Sequence, residues 1–267
     1  MFKSKTNLTV VITVVNADAL RLSLPPLNRI HQRFNLVIYN DNPELCIDRR
    51  KVKRIGWRGA SYIINADKNY GELESRLNAI KQLQNMDIHT DWIVFVDQDD
   101  VLLDASVPDV SDNIFAVVQN ATTLSEDITD IFKITPAWVN GCECGRTGPH
   151  FAITGTIIRT PIFAEFADFI TNILPKLYRD LRHTRYRVPL DSLLWLALKG
   201  FVRVMHPDMS PIYMNRTNYV AMKMGFAPIK YGRRNPEGAP AHAAVDETVK
   251  RFLKTIESAV KILAQNA

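Results

Sequence analysis

Residues 8–15 form a run of mostly β-branched side chains, Leu8-Thr-Val-Val-Ile-Thr-Val-Val15. Branching at Cβ favours an extended backbone, and an apolar run without alternation indicates a strand that is buried on both faces. Strands of this kind occur in parallel sheets, which need helices to cover each face. The run therefore predicts an α/β fold.

Further strands and helices alternate along the first hundred residues. We predict a helix over residues 19–34 that Pro25 and Pro26 interrupt, and a second helix over residues 72–86 with apolar side chains at helical spacing. Three more strands are predicted, at residues 35–39, 60–65 and 91–96. This alternation is typical of a wound α/β sheet.

Polar residues follow three of the predicted strands, as Asn16-Ala-Asp18, Asn40-Asp-Asn42 and Asp97-Gln-Asp-Asp100. Ligands of wound α/β sheets bind beyond the carboxyl ends of the strands. The predicted fold therefore brings three polar clusters to one edge of the sheet, and this edge is the main sequence-based indication of a binding site.

Three of the four residues at 97–100 are aspartates. At the end of a buried strand their carboxylates repel one another unless a cation lies among them. Mg²⁺ and Mn²⁺ prefer carboxylate oxygens and keep positions open for phosphate, so a metal ion here suits a diphosphate ligand. The alternative is a solvated acidic turn in which Asp100 caps a helix.

The second half of the chain has a less regular pattern. Its predicted elements are a strand, two helices and a further strand, at residues 152–158, 162–181, 189–199 and 201–205. Pro175 predicts a break or kink in the first of these helices. Residues 245–263 have an amphipathic helical pattern, which suits either a membrane surface or packing on the same domain.

The composition and the number of cysteines indicate the cellular compartment of the protein. The chain has 267 residues, 46% of them hydrophobic, and no apolar segment long enough to span a membrane. The chain has three cysteines, Cys46, Cys142 and Cys144. An odd number argues against a disulfide framework, and three cysteines are too few for a closed zinc site. These features predict a cytoplasmic protein.

The formal net charge of +5 is unevenly distributed. Residues 179–187 contain four arginines and a histidine, and a second basic stretch runs from Arg216 to Arg234. Such stretches suit phosphates or an anionic membrane surface, although either is equally a solvated face. No nucleic-acid partner is expected, because acidic side chains at the predicted site edge would repel a phosphate backbone.

The order of these segments resembles glycosyltransferase family 2, the inverting enzymes of the GT-A fold. The resemblance runs from about Leu8 to Arg216 and rests most on residues 92–100, which match the family's Asp-x-Asp strand. Four other segments stand in the family's order: the opening strand, the second strand with its nucleotide turn, the Gly-containing loop with the Arg-Asn helix start, and the segment of the catalytic base, at residues 8–16, 35–42, 69–78 and 189–195.

The resemblance implies roles for individual residues. Asp191 would be the general base that deprotonates the acceptor hydroxyl. Asp99, together with Asp97, would bind Mn²⁺ or Mg²⁺. The implied nucleotide contacts are made by side chains at the base, the ribose and the phosphates, namely Asn16, Asp41, Asp97, Arg76 and Arg216.

Each assignment has a structural alternative. Asp191 also suits the first turn of a helix, Arg76 a helix surface and Asn16 the end of a strand. The sequence also departs from the usual family pattern. Asn218 stands where many members have a histidine that can join the metal, and Leu190 where an acidic residue often precedes the base. A third protein ligand is therefore not assigned.

The predicted fold is a GT-A type wound mixed sheet flanked by helices. A single domain would span residues 1–220, with a nucleotide-sugar-binding half at 1–103 and an acceptor-binding half at 104–220. A basic extension with an amphipathic helix would follow at 221–267.

The implied activity is transfer of a hexose-type sugar from a nucleotide diphosphate sugar, with UDP expected first and dTDP second. The acceptor would be a glycan or lipid-linked sugar in surface polysaccharide synthesis. The basic patch at 179–187 suits the inner face of a membrane. Two alternatives remain open: a degenerate, non-catalytic nucleotide-binding protein, and a nucleotidyltransferase of similar fold, although residues 16–20 lack the Gly-rich loop that usually marks the latter.

Overall fold

The computed structural model describes residues 7–107, 109–110, 116–124, 154–181 and 213–223, together with Lys254. Within these ranges the chain forms eight strands and four helices. The strands are β1 (Leu8–Val14), β2 (Asn35–Asn40), β3 (Tyr62–Asn65), β4 (Trp92–Asp97), β5 (Val101–Leu102), β6 (Ala116–Leu124), β7 (Ile157–Arg159) and β8 (Tyr213–Lys223). The helices are α1 (Leu20–Leu27), α2 (Arg49–Ile55), α3 (Gly71–Asn85) and α4 (Thr160–Leu181).

The described strands form one sheet in the order β3-β2-β1-β4-β7-β6-β8-β5. β1 pairs in parallel with both β2 and β4, and β3 extends this parallel part beyond β2. β7 runs antiparallel to β4 and to β6, so the sheet is mixed. The predicted wound, mixed α/β sheet flanked by helices is confirmed.

The side chains of β1 enter two separate cores in alternation. Val10, Ile12 and Val14 pack with α1 and α2 on one face of the sheet, whereas Val11 lies in the core formed with α3 and α4 on the other. All four are fully buried. Burying one such side chain contributes about 1.5–3 kcal/mol to stability. Helices on both faces therefore explain why the run 8–15 shows no polar alternation.

Helix α1 is shorter than the helix predicted over residues 19–34, since it ends at Leu27. Pro25 and Pro26 lack the N–H groups that an α-helix uses for its hydrogen bonds four residues back. The chain tightens after them, and the N–H of Asn28 donates to the carbonyl oxygen of Pro25, three residues back, at 3.2 Å. The double proline thus ends the helix rather than only interrupting it.

Helix α4 continues through Pro175 to Leu181, so the helix is not broken there. Phe163 and Phe166 of its first half are fully buried, and their ring centroids lie 5.8 Å apart. Packing of this kind supplies most of the stability of a helix, and the loss of one hydrogen bond at a proline is then tolerated.

Helix α2 and strands β5, β6 and β8 are not predicted by the hydrophobic pattern. The start and stop signals of α2 are nevertheless present, because the Asp48 carboxylate accepts the N–H of Lys51 at 2.7 Å and Gly56 ends the helix at φ 121°. With Val52 as its buried residue, this short helix has no apolar stripe to recognise. The strand predicted at 152–158 is also shorter, as β7 covers Ile157–Arg159.

Outside the described residues lie the remaining predicted elements, at 189–199, at 201–205 and, apart from helical Lys254, at 245–263. Cys142, Cys144 and most of the basic patch at 179–187 lie there as well, and the domain boundaries stay predictions. Within the described ranges, no helix combines the length and hydropathy needed to cross a bilayer.

Tyr39 of β2 makes the stability of this core depend on pH. Its side chain is 2% exposed. Burial raises its pKa from 10.0 to about 12, although a hydrogen bond with the Asn78 side chain lowers it in part. Because the folded state favours the neutral phenol, the contribution of Tyr39 to stability is complete below about pH 10 and is lost as the pH rises through about 12.

We expect this loss to reach about 2.7 kcal/mol and to be absent from Tyr39→Phe, as measured by urea denaturation across that pH range. Equal losses in both proteins would contradict this account.

Candidate functional site

The carboxyl ends of β2, β1 and β4 lie side by side, because these strands are parallel neighbours. The side-chain oxygen of Gln98 accepts hydrogen bonds from the backbone N–H groups of Val15 and Asn16, at 2.9 and 2.8 Å. The side-chain amide of Asn42 donates to the carbonyl oxygen of Val15 at 3.0 Å. The turns that follow the three strands are thus bound to one another, and the predicted meeting of polar clusters at one edge is confirmed.

Asp41 lies at this edge and holds the start of α3. Its side chain is buried, and its two carboxylate oxygens accept the backbone N–H groups of Tyr70 and Gly71 at 2.8 and 2.9 Å. Gly71 has a φ of 81°, a left-handed conformation that favours glycine. The positive end of the helix dipole also favours a carboxylate here. The structure therefore gives Asp41 a part in ordering the loop before α3, while its contact with a nucleotide base stays a prediction.

Arg76 and Asp97 form an ion pair beneath the same edge. Nη2 of Arg76 lies 3.0 Å from Oδ1 of Asp97, and the two side chains are 1% and 38% exposed. Arg76 comes from the second turn of α3 and Asp97 is the last residue of β4. The alternative interpretation of Arg76 as a surface residue of its helix is therefore wrong. The buried guanidinium fixes one oxygen of a carboxylate that remains partly accessible.

The acidic turn after β4 is largely buried. Asp99 and Asp100 are 2% and 4% exposed, and β5 rather than a helix begins at Val101. The hydroxyl of Thr154 donates to Oδ2 of Asp100 at 3.0 Å and accepts the N–H of Asp97 at 3.1 Å. The alternative interpretation, a solvated turn in which Asp100 caps a helix, is therefore wrong.

The acidic turn offers few donor groups for a metal ion. Among the described residues, no three carboxylate, imidazole or thiolate side chains lie close enough together to hold a metal ion by themselves. Mg²⁺ in nucleotide sites is often bound by one or two carboxylates, with phosphate and water as the other ligands. Asp97 is partly exposed, as an open site of that kind requires, whereas Asp99 is 2% exposed, so a shared role of the two as metal ligands stays a prediction.

Three predicted site residues remain, namely Asn16, Arg216 and Asp191. Asn16 lies at the edge, and its side-chain oxygen accepts the N–H of Asp18 at 3.0 Å, as expected for a residue that ends a strand. Arg216 lies in β8 opposite Gln119 of β6. β8 also pairs antiparallel with β5, which directly follows the acidic turn, and in this pairing Ala221 lies opposite Val101. Arg216 lies five residues before Ala221 along β8, so the pairing brings the other end of β8 to the turn. Asp191 lies outside the described residues. The roles of all three stay predictions.

Gln98 and Thr154 are structural parts of the site that the sequence interpretation missed. Gln98 is 5% exposed and joins the ends of β4 and β1. The signal available in the sequence was an amide between two aspartates directly after an apolar run. Thr154 contacts the acidic turn from a distant part of the chain, and no local pattern indicates such a contact.

Comparison with known proteins shows a shared fold. No protein-family model matches the chain, and no curated protein matches it in sequence. The crystal structure of S. aureus TarS 1-349 in complex with UDP-GlcNAc is similar, with a TM-score of 0.51 and 14% identity over 97% of this chain and 70% of that chain. A further crystal structure of S. aureus TarS has a TM-score of 0.48 and 13% identity over 82% of this chain. This chain spans 37% of the length of that second TarS chain.

Proposed function

We propose that this protein is an inverting glycosyltransferase that takes a hexose-type sugar from a nucleotide diphosphate sugar. The observation that carries the proposal is the Arg76–Asp97 ion pair at the carboxyl ends of the parallel strands. Asp41, to which the family resemblance also assigns a nucleotide contact, lies at the same edge. The similar fold of TarS, crystallised with UDP-GlcNAc, supports a UDP-sugar as the first donor to test, with a dTDP-sugar second.

The leaving-group side of the reaction needs positive charge beside the diphosphate as its bond to the sugar breaks. In this proposal Asp97 and Asp99 hold Mg²⁺ or Mn²⁺, which supplies Lewis-acid stabilisation when bound. Arg76 fixes the position of Asp97 through the ion pair. Arg216 would approach the diphosphate and donate charge-assisted hydrogen bonds to it.

The acceptor side needs a carboxylate that removes a proton from the attacking hydroxyl. Asp191 has this role in the proposal, on the basis of the family resemblance. The hydroxyl oxygen attacks the sugar carbon from the side opposite the diphosphate, so the configuration at that carbon inverts. A glycan or lipid-linked sugar is the proposed acceptor, and the basic patch at 179–187 would attract the chain to an anionic membrane face.

Thermal unfolding with UDP, dTDP and GDP, each with and without Mn²⁺, tests the proposal. A nucleotide at about a hundred times its Kd stabilises the folded state by about 2.7 kcal/mol. We expect UDP with Mn²⁺ to raise the unfolding midpoint and Asp99→Ala to abolish the metal-dependent part of that rise. Asp91→Ala is the matched control, because this exposed aspartate lies at the opposite end of β4.

The possible results lead to different conclusions. If no nucleotide shifts the midpoint with any metal, the transferase proposal loses its main support. If UDP and metal stabilise the protein but no UDP-sugar is turned over, the degenerate, non-catalytic alternative gains support instead.

A further inference from the structure

Residues 49–58, in and after α2, carry six cationic side chains and no acidic one, namely Arg49, Arg50, Lys51, Lys53, Arg54 and Arg58. None of the six forms an ion pair with any residue that the structure describes. The neighbouring acid in sequence, Asp48, accepts the backbone N–H of Lys51 as the helix cap. The proposed transferase chemistry uses none of these charges.

A cavity of about 410 Å³ lies between α2 and the loop that leads into β3. Arg49 and Lys53, four residues apart and thus on one side of the helix, line it together with Arg58 from the loop. The aromatic residues Trp57 and Tyr62 also line this cavity. The volume lies in the range of small-molecule sites. Three cationic residues therefore line one concave space.

The loop wall of this cavity is held in place by specific contacts. The indole N–H of Trp57 donates to the carbonyl oxygen of Ala60 at 3.1 Å. A Cβ atom at Gly59 would come within 2.4 Å of the Trp57 ring, so the ring lies directly against the backbone there. The N–H of Arg58 donates to the side-chain oxygen of Asn28 at 3.0 Å. The backbone that carries the Arg58 guanidinium is thus fixed before any ligand binds.

We propose that this cavity binds a soluble ligand that carries two or more adjacent phosphate groups. Arginine recognises phosphate through paired charge-assisted hydrogen bonds, and three cations that form no ion pair with any described residue match a multiply charged anion. A concave site suits a ligand that enters it better than it suits a flat bilayer. The cavity borders the amino end of β3, whereas the polar turns of the candidate nucleotide site follow the carboxyl ends. The proposal therefore stands independently of the transferase function.

Two double variants of α2 give a matched test. R49Q/K53Q removes two charges that line the cavity, and R50Q/R54Q removes two charges at the same spacing that do not line it. Inorganic tripolyphosphate is titrated into the full chain by calorimetry in EDTA, which removes divalent ions from the acidic turn. We expect R49Q/K53Q to weaken binding by about tenfold or more and R50Q/R54Q by less than about threefold.

Several results would overturn the proposal. Equal losses in the two double variants would show a general charge effect, and binding that appears only when Mg²⁺ replaces EDTA would assign the phosphate to the acidic turn. Failure of the unmodified chain to bind tripolyphosphate would also contradict it. Binding to phosphatidylcholine vesicles that contain phosphatidylglycerol, without binding to tripolyphosphate, would identify a membrane-facing surface instead.

Discussion

Replacing Arg76 with alanine is expected to lower the free energy of unfolding by about 3–5 kcal/mol. The side chain is 1% exposed, with Nη2 3.0 Å from Oδ1 of Asp97. The substitution removes a long stem from the protein interior and takes the cation away from a carboxylate that is only partly hydrated. Urea denaturation without nucleotide or metal measures this effect, so the result does not depend on the proposed activity.

Arg54→Ala is the control for this prediction, because Arg54 is an exposed helical arginine in α2 and its loss should change stability little. Arg76→Met keeps much of the apolar stem and separates packing from charge. If Arg76→Met recovers most of the loss, packing accounts for the effect. If Arg76→Ala is no more harmful than Arg54→Ala, the Arg76–Asp97 ion pair does not stabilise the fold.

The parallel part of the sheet could be predicted from sequence because its strands are apolar on both faces. The runs that became β1, β2 and β4 are continuous and β-branched or aromatic, and each is followed by polar residues. In a parallel sheet those polar residues must reach the same edge. The position of the candidate site therefore follows from the parallel topology alone, without knowledge of any side-chain contact.

Other elements could not be predicted in this way because their signals are short or non-local. Helix α2 has caps but no apolar stripe, and β5 has two residues. β6 and β8 pair with each other over nine residues although they are far apart in the chain, and such pairing leaves no local pattern. The same limit applies to Thr154, whose hydroxyl joins the acidic turn from a separate segment.

Burial was the least predictable property of the candidate site residues. A helical arginine is usually exposed, and the interior position of Arg76 depends on the partner that β4 supplies. Asp41 likewise suits a turn from sequence alone, yet its carboxylate lies inside the protein against the start of α3. Residue type indicated the chemistry at this edge, but only the tertiary structure shows which side chains are also structural.

Asp41→Ala separates these two roles and is expected to lower the free energy of unfolding by about 3–4 kcal/mol without any nucleotide. The substitution removes both acceptors of the Tyr70 and Gly71 N–H groups, at 2.8 and 2.9 Å, and a charge that the helix dipole favours. Asp41→Asn keeps one acceptor but turns an NH₂ group toward a donor, so we expect an intermediate loss. Chemical denaturation measures both.

Asp18→Ala is the matched control, because Asp18 follows β1 at the same edge but its side chain is 86% exposed. If Asp41→Ala is as stable as this control and loses only affinity for UDP, then Asp41 acts on the nucleotide alone and other contacts order the loop before α3. If stability and affinity fall together, the loop and the nucleotide site are one unit. The start of α3 would then have to be ordered by Asp41 before a nucleotide can bind, because the same carboxylate is needed for both.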